Sequence, residues 1–274
     1  TFKIDGLIEN HLWVMKDVPA LKEEPFTTTL NNAISKVEFQ LNQVMFPNTA
    51  PKYYMDNWEK IASDLMQDSE FGVPIKKGNN WLNDDVKAVV NKESSEEEKA
   101  QKIFEYVRDN FTCNDRRGIY TTASLKDILK NKSGSVADIN MLLIAMLRTV
   151  NIDANPVILS TRNHGFTHEF YPLINRYNYV IAKVDINGAP IYLDATNRYL
   201  AYAVLPARVY NGQAREITNN LAIPIVFVAD SLREKSNTLV FINNLEKGGV
   251  EGFYSHVLGT YESEAFRINM TKTK

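Results

Sequence analysis

The pattern of apolar and polar positions divides the chain into stretches of different character. Within residues 1 to 45 the two kinds mix over short runs, Leu12 to Val14 and Val37 to Leu41, around a proline-containing connection, which predicts strands. From Tyr53 to Met66 the period becomes helical, with Trp58, Ile61, Leu65 and Met66 on one face. A second short helix is expected over Asn83 to Val90. Ser94, with Glu97 three residues on and carboxylates crowding the positive end of the dipole, marks the next helix start. Ala100, Ile103, Phe104, Val107 and Phe111 trace its buried stripe. A shorter helix, Ser124 to Lys130, stops before Gly134.

The most apolar helix follows, Val136 to Val150, with Ile139, Leu142, Leu143, Met146, Leu147 and Val150 at spacings of three and four. Each such side chain, fully buried, contributes about 1.5–3 kcal/mol, so this helix is the expected spine of a core. Arg148 near its C-terminus suits the dipole. Beyond it the pattern turns to sheet: Pro156 to Ser160, Tyr177 to Ile186, and Ile191 to Asp194, the last two joined by Asn187-Gly188, a strong hairpin turn. Thr238 to Ile242 and Val250 to Leu258 flank Gly248-Gly249 as a further hairpin. A central helix feeding an antiparallel sheet makes the expected fold class α+β. A boundary is expected near 215 to 222, with a β-rich segment after it.

Length and composition change this picture little. The 274 residues, 44% hydrophobic and 23% charged, suit a globular chain with a substantial core. A net charge of −2 gives no electrostatic footprint for nucleic acid, and the basic pairs Lys76-Lys77 and Arg116-Arg117 read as solvated turn residues. No run approaches the ~18 apolar residues that span a bilayer. Cys113 is the single cysteine, so no disulfide can form within the chain. The opening at Thr1, without methionine and in mid-pattern, suggests a processed protein or an excised piece. No phosphate loop, nucleotide fingerprint or zinc-knuckle pattern occurs, and no cofactor or metal is expected. His164 and His168 have a spacing that suits metal ligands on a helix, but Gly165 between them argues for a loop.

Three places together resemble the transglutaminase-like family, whose architecture is that of papain. The first is Gly134-Ser135-Val136-Ala137-Asp138, followed by Leu142, Leu143, Ala145, Leu147, Arg148 and Ile152. The second is the strand Tyr179 to Val184. The third is Tyr192-Leu193-Asp194-Ala195-Thr196. The family places a cysteine at the start of the helix, a histidine at the start of the strand and an aspartate on the partner strand. Asp138-Ile139-Asn140, Ser160-Thr161-Arg162 and Leu205-Pro206 further resemble bacterial multidomain proteins with a transglutaminase-like domain between two β-rich domains. The resemblance implies a papain-like core over residues 46–218, the end of a preceding β-rich domain over 1–45 and a β-rich C-terminal segment over 219–274. It also implies a bacterial periplasmic or cell-envelope setting.

Aligned this way, Val136 falls at the cysteine position and Tyr179 at the histidine position; Asp194 alone keeps the family's residue. Valine carries no nucleophile, and a phenol of ordinary pKa ~10 is a poor base near neutral pH. No catalytic set is intact, and the Tyr179 hydroxyl is expected to hydrogen-bond Asp194. Ser135, and Ser133 close by, have no histidine opposite, so Ser135 reads as a helix cap. The expected function is a non-catalytic (pseudoenzyme) domain that binds or scaffolds through the vacated cleft. Its partner would be a peptide, a glycan or a neighbouring domain of a longer protein. Arg162, His164, His168, Tyr171, Asn178 and Cys113 are the candidates to line that cleft, the loop 162–175 being expected to overhang it. The alternative is an active cysteine protease or transglutaminase-type hydrolase using Cys113 or a serine in a non-standard site. A third reading is a structural spacer, with the cleft filled by the protein's own side chains.

Overall fold

The structure, a computed structural model, describes residues 9–272 except 23, 25, 26, 38, 40, 54–56, 77, 92, 93 and 247. Lys77, and parts of the expected elements at 37–41 and 53–66, lie outside the described residues. In chain order the elements are β1 (Gln43–Val44), β2 (Lys52–Tyr53), α1 (Trp58–Gln67), α2 (Asn83–Val89), α3 (Glu96–Asn110), β3 (Thr112–Cys113), α4 (Leu125–Asn131), β4 (Ser133–Gly134) and α5 (Val136–Thr149). Then follow β5 (Ala154–Leu159), β6 (Tyr179–Ile186), β7 (Ala189–Leu193), β8 (Gly212–Ile217), β9 (Ala222–Phe227), β10 (Asn237–Asn244), β11 (Val250–Val257) and α6 (Thr260–Lys272).

Polar side chains set most helix starts. Asn57 caps α1, Ser124 caps α4, and Ser135 with Asp138 forms a reciprocal capping box at α5. The cap of α3 is Ser95 with Glu98, one residue later than Ser94 with Glu97. Ser94-Ser95-Glu96-Glu97-Glu98 spells the same box in two registers, and local sequence cannot choose between them.

Helix α5 is buried from Val136 to Leu147 and packs on one face of a five-stranded antiparallel sheet of order β7-β6-β5-β8-β9. That face contributes Ile158, Val180, Ala182, Val184, Leu193 and Ile217 to the larger core. Asn187 and Gly188, at φ 54° and 78°, supply the turn between β6 and β7. The other face carries Val157, Leu159, Tyr179, Ile181 and Ala214, which form a second core with Val136, Leu205, Val209 and Phe227. Flat, five strands at ~4.8 Å spacing would hold the edges about 19 Å apart. Here Tyr192 on one edge strand meets Phe227 on the other with ring centroids 5.0 Å apart, so the sheet curls strongly.

Three expectations differ from what is observed. Leu12 to Val14 belongs to no strand, and Leu12 is 88% exposed; a strand pattern makes a strand only where a second strand pairs with it. Residue 218 lies in the turn between β8 and β9, closed by the Thr218 amide donating to the Leu221 carbonyl at 2.9 Å, so the sheet continues to Phe227. The C-terminal segment contains the expected hairpin β10–β11 but ends in the helix α6. No side chain of α6 is fully buried among its described residues, so it presents no apolar stripe from which a period could be read.

Candidate functional site

The start of α5 is held rigidly. Asp138 is fully buried; its carboxylate accepts from the Ser135 amide at 2.8 Å, the Thr122 amide at 2.7 Å and the Thr122 hydroxyl at 2.7 Å, and its amide donates to Ser135 Oγ at 3.2 Å, closing the reciprocal box. Burial alone would raise the Asp138 pKa, but the donors from Thr122 and Ser135 outweigh it and hold the carboxyl below its usual value. Gly134 is needed for close packing, since a Cβ there would lie 2.7 Å from that of Asp138. The Val136 amide donates to the Arg116 carbonyl at 3.1 Å, so the positive end of α5 is already engaged by the protein's own groups.

Val136 and Tyr179 both belong to the second core, and Asp194 lies within hydrogen-bond reach of Tyr179. The Tyr179 hydroxyl donates to Asp194 Oδ2 at 2.8 Å, the contact expected from the sequence. Asp194 Oδ1 accepts from Asn140 Nδ2 at 3.0 Å, the Thr196 amide at 3.1 Å and the Thr196 hydroxyl at 2.7 Å. Asn140 is the bolt between helix and sheet: its Nδ2 also donates to the Val180 carbonyl at 2.9 Å, and its Oδ1 accepts from the Ala195 amide at 3.0 Å. Arg208 stacks over the Tyr179 ring at 5.5 Å and donates to its hydroxyl at 3.2 Å. Burial first, and then the negative charge of Asp194, push the Tyr179 pKa well above 10, with Arg208 pulling the other way. The phenol therefore stays protonated and is a donor. Tyr179 and Asp194 are both 0% exposed, so solvent reaches neither.

Asn140 and Arg208 were missed as site residues by sequence reasoning. Asn140 left a trace, an amide inside the most apolar helix, whereas Arg208 sits in a connection with no period to mark it.

Cys113 is half-buried beside Gly134, its bridge partner across β3–β4, and packs at the edge of both cores. Burial raises its pKa to about 11; the Asp115 backbone pulls it down, and the carboxylates of Asp115 and Asp194 raise it further. A thiol raised this far is mostly protonated near neutral pH, its less nucleophilic form. Among the described residues no histidine hydrogen-bonds it. His164 Nδ1 lies 3.0 Å from Ser160 Oγ, whose proton goes to the Gly165 carbonyl at 2.6 Å, so the histidine is the donor in that pair. His168 Nδ1 accepts from the amides of Phe170 and Tyr171 at 3.2 and 3.1 Å, and its ring lies against that of Tyr171.

The loop 162–175 divides in two. Its first part adjoins the centre: the Arg162 amide donates to the Arg208 carbonyl at 2.9 Å, and Arg117 donates to Asn163 Oδ1 at 2.8 Å. Asn178 Oδ1 accepts from the Thr161 amide at 2.9 Å. The second part is tied to β8, where Thr167 donates to the Gln213 carbonyl at 3.2 Å and Arg215 donates to the Glu169 carbonyl at 2.6 Å. His168 and Tyr171 thus make no hydrogen bond to Tyr179, Asp194 or Cys113. On another side, α6 lies over the segment after Asp194, with Tyr261 donating to the Leu205 carbonyl at 3.0 Å and Asn197 to Glu264 Oε1 at 2.5 Å. Among the described residues no group of three or more His, Cys, Asp or Glu side chains is placed to hold a metal ion, and no helix is long and apolar enough to cross a membrane.

No curated protein matches the chain. Two crystal structures resemble it. One is a candidate protease from Parabacteroides distasonis, 14% identical, with a TM-score of 0.47 and coverage of 79% of this chain and 43% of the other. The second is a candidate cysteine protease from Cytophaga hutchinsonii, 14% identical, with a TM-score of 0.36 and coverage of 65% and 51%. The chain thus spans about half or less of the length of these proteins. Residues 84–195, which hold Val136, Tyr179 and Asp194, match the family model of the Transglutaminase-like superfamily, and this part of the chain is a transglutaminase-like domain.

Proposed function

We propose that this transglutaminase-like domain is non-catalytic and serves as a binding or scaffolding module. The observation that carries the reading is the set Val136, Tyr179 and Asp194. At the position of the family's nucleophile stands a side chain with no reactive atom. At that of its base stands a phenol whose proton is committed to Asp194 at 2.8 Å. In a well-studied triad hydrolase, removing the nucleophile or the base costs on the order of 10⁶ in turnover. Cys113 does not replace them, because burial favours its protonated thiol and, among the described residues, no histidine hydrogen-bonds it. A structural spacer is the second reading, favoured by the complete burial of Tyr179 and Asp194; it differs in having no ligand at this face.

The test uses amine incorporation into casein and peptide hydrolysis. Both the wild type and Val136→Cys are expected to stay at the blank, because Tyr179 cannot take the proton of a thiol. Robust turnover by Val136→Cys alone would show that the base lies elsewhere. Wild-type turnover lost in Cys113→Ser would equally reject the reading.

A further inference from the structure

Beside the closed centre the surface is open. A depression of about 360 Å³ begins at Ser135, one residue before Val136, and is walled by Arg116, Arg117 and Tyr120. A second, of about 470 Å³, reaches Trp81 and Lys126. Glu70, Thr121 and Thr122 line both, so the two form one groove leading away from the start of α5.

We infer that this groove binds a carboxylate-bearing oligosaccharide, an inference that rests on the non-catalytic binding reading and names its ligand class. Charge is the first reason. Arg116, Arg117 and Lys126 line the groove against one lining carboxylate, Glu70, and Asp68, whose charge also reaches Tyr120, so the groove keeps a local cationic excess on a chain of net charge −2. Guanidinium groups suit carboxylates because their planar donors match both oxygens.

Ring geometry is the second reason. Tyr120 is 38% exposed, and the buried Phe71 meets it edge-on at 6.3 Å, fixing the ring while leaving part of it in solvent. The π-face of an aromatic ring is its negative side and suits the C–H face of a pyranose. At the far end, Lys126 is held 5.7 Å over the Trp81 ring, which positions a third cation.

The wall's backbone supplies the third reason, because it disfavours an extended peptide. Strand addition needs free amides and carbonyls along an edge. Here the Thr121 amide donates to the Glu70 carbonyl at 2.7 Å and the Thr122 amide to Asp138 at 2.7 Å. The Arg116 amide is taken by Asn114 at 3.0 Å and its carbonyl by Val136 at 3.1 Å. Recognition is left to rings and cations.

The experiment is calorimetric titration of the whole chain with an oligogalacturonate, with neutral cellotetraose and with a polyglutamate peptide. Saturable oligogalacturonate binding is expected, weakened by added salt and at least about tenfold weaker for cellotetraose. Arg116→Glu and Tyr120→Ala should each weaken it roughly tenfold. Arg116 is exposed, so its variant tests the groove even if Tyr120→Ala disturbs the fold. The inference is overturned by no saturable binding, by binding that neither variant changes, or by equal affinity and equal losses with polyglutamate. Mass analysis of the recovered ligand separates this from the reading beneath it. Intact ligand without binding rejects the groove alone, whereas shortened ligand rejects the non-catalytic reading and the inference with it.

Discussion

Replacing Asp194 with alanine is expected to destabilise the chain by roughly 3–5 kcal/mol, the cost of breaking a buried charged network from one side. The carboxylate is fully buried and accepts from Tyr179, Asn140 and both donors of Thr196. Truncation would leave those donors unpaired in a dry interior and remove a negative charge that acts on Arg208. Asp194→Asn should cost markedly less. Its Oδ1 can still accept from Asn140 and Thr196, and its Nδ2 can donate to the Tyr179 oxygen, which can turn its own proton to Thr196 at 3.0 Å. Urea unfolding followed by tryptophan fluorescence measures both. A loss below about 1 kcal/mol for Asp194→Ala would mean that water reaches the network and the centre is not closed.

A comparable loss, about 2–4 kcal/mol, is expected for Arg148→Ala at the opposite end of α5. Arg148 donates to the Ala154 carbonyl at 2.7 Å, the Ile75 carbonyl at 2.8 Å and Asn155 Oδ1 at 2.9 Å. One planar group thereby joins the end of the helix to β5 and to the turn at Val73–Ile75. Its burial lowers the Arg148 pKa, the mark of a charge drawn into the interior. Lysine cannot span the three acceptors with one ammonium, so Arg148→Lys should recover less than half of the loss. The same unfolding series decides it. Full recovery with lysine would show that charge, and not the fork, holds this junction.

Sequence and structure agree best where burial is strongest. Helix α5 could be read because its apolar stripe, its Ser135 cap and Gly134 all signal the same element, and the β6–β7 turn because Asn187-Gly188 tolerates positive φ. The Tyr179–Asp194 contact was legible only through family resemblance, since nothing local links two residues on neighbouring strands. Helix α6 was not legible, because it is held by Tyr261, Glu264 and Thr271 through polar contacts and buries no side chain fully. The role of Arg148 was read as a favourable charge at a helix end, whereas three acceptors from distant segments define it. Arg208 and the groove are tertiary products: Glu70 and Tyr120 come from separate loops, brought together where the Thr121 amide meets the Glu70 carbonyl.

The proposal that this domain does no thiol catalysis is tested most directly by the rate at which iodoacetamide labels Cys113 as pH is varied, read by mass spectrometry. Cys113 is the chain's single cysteine, so any thiol chemistry must pass through it. A pKa of about 11 leaves little thiolate near neutral pH. Relative to an ordinary thiol of pKa ~8.5, the lower thiolate fraction outweighs the greater nucleophilicity, and labelling should be roughly 10–100-fold slower. The expected rate climbs about tenfold per pH unit without levelling off below pH ~10. Stoichiometric labelling within minutes near neutral pH, with a plateau below pH ~8 that is lost on unfolding, would reveal an activated thiolate and contradict the non-catalytic proposal.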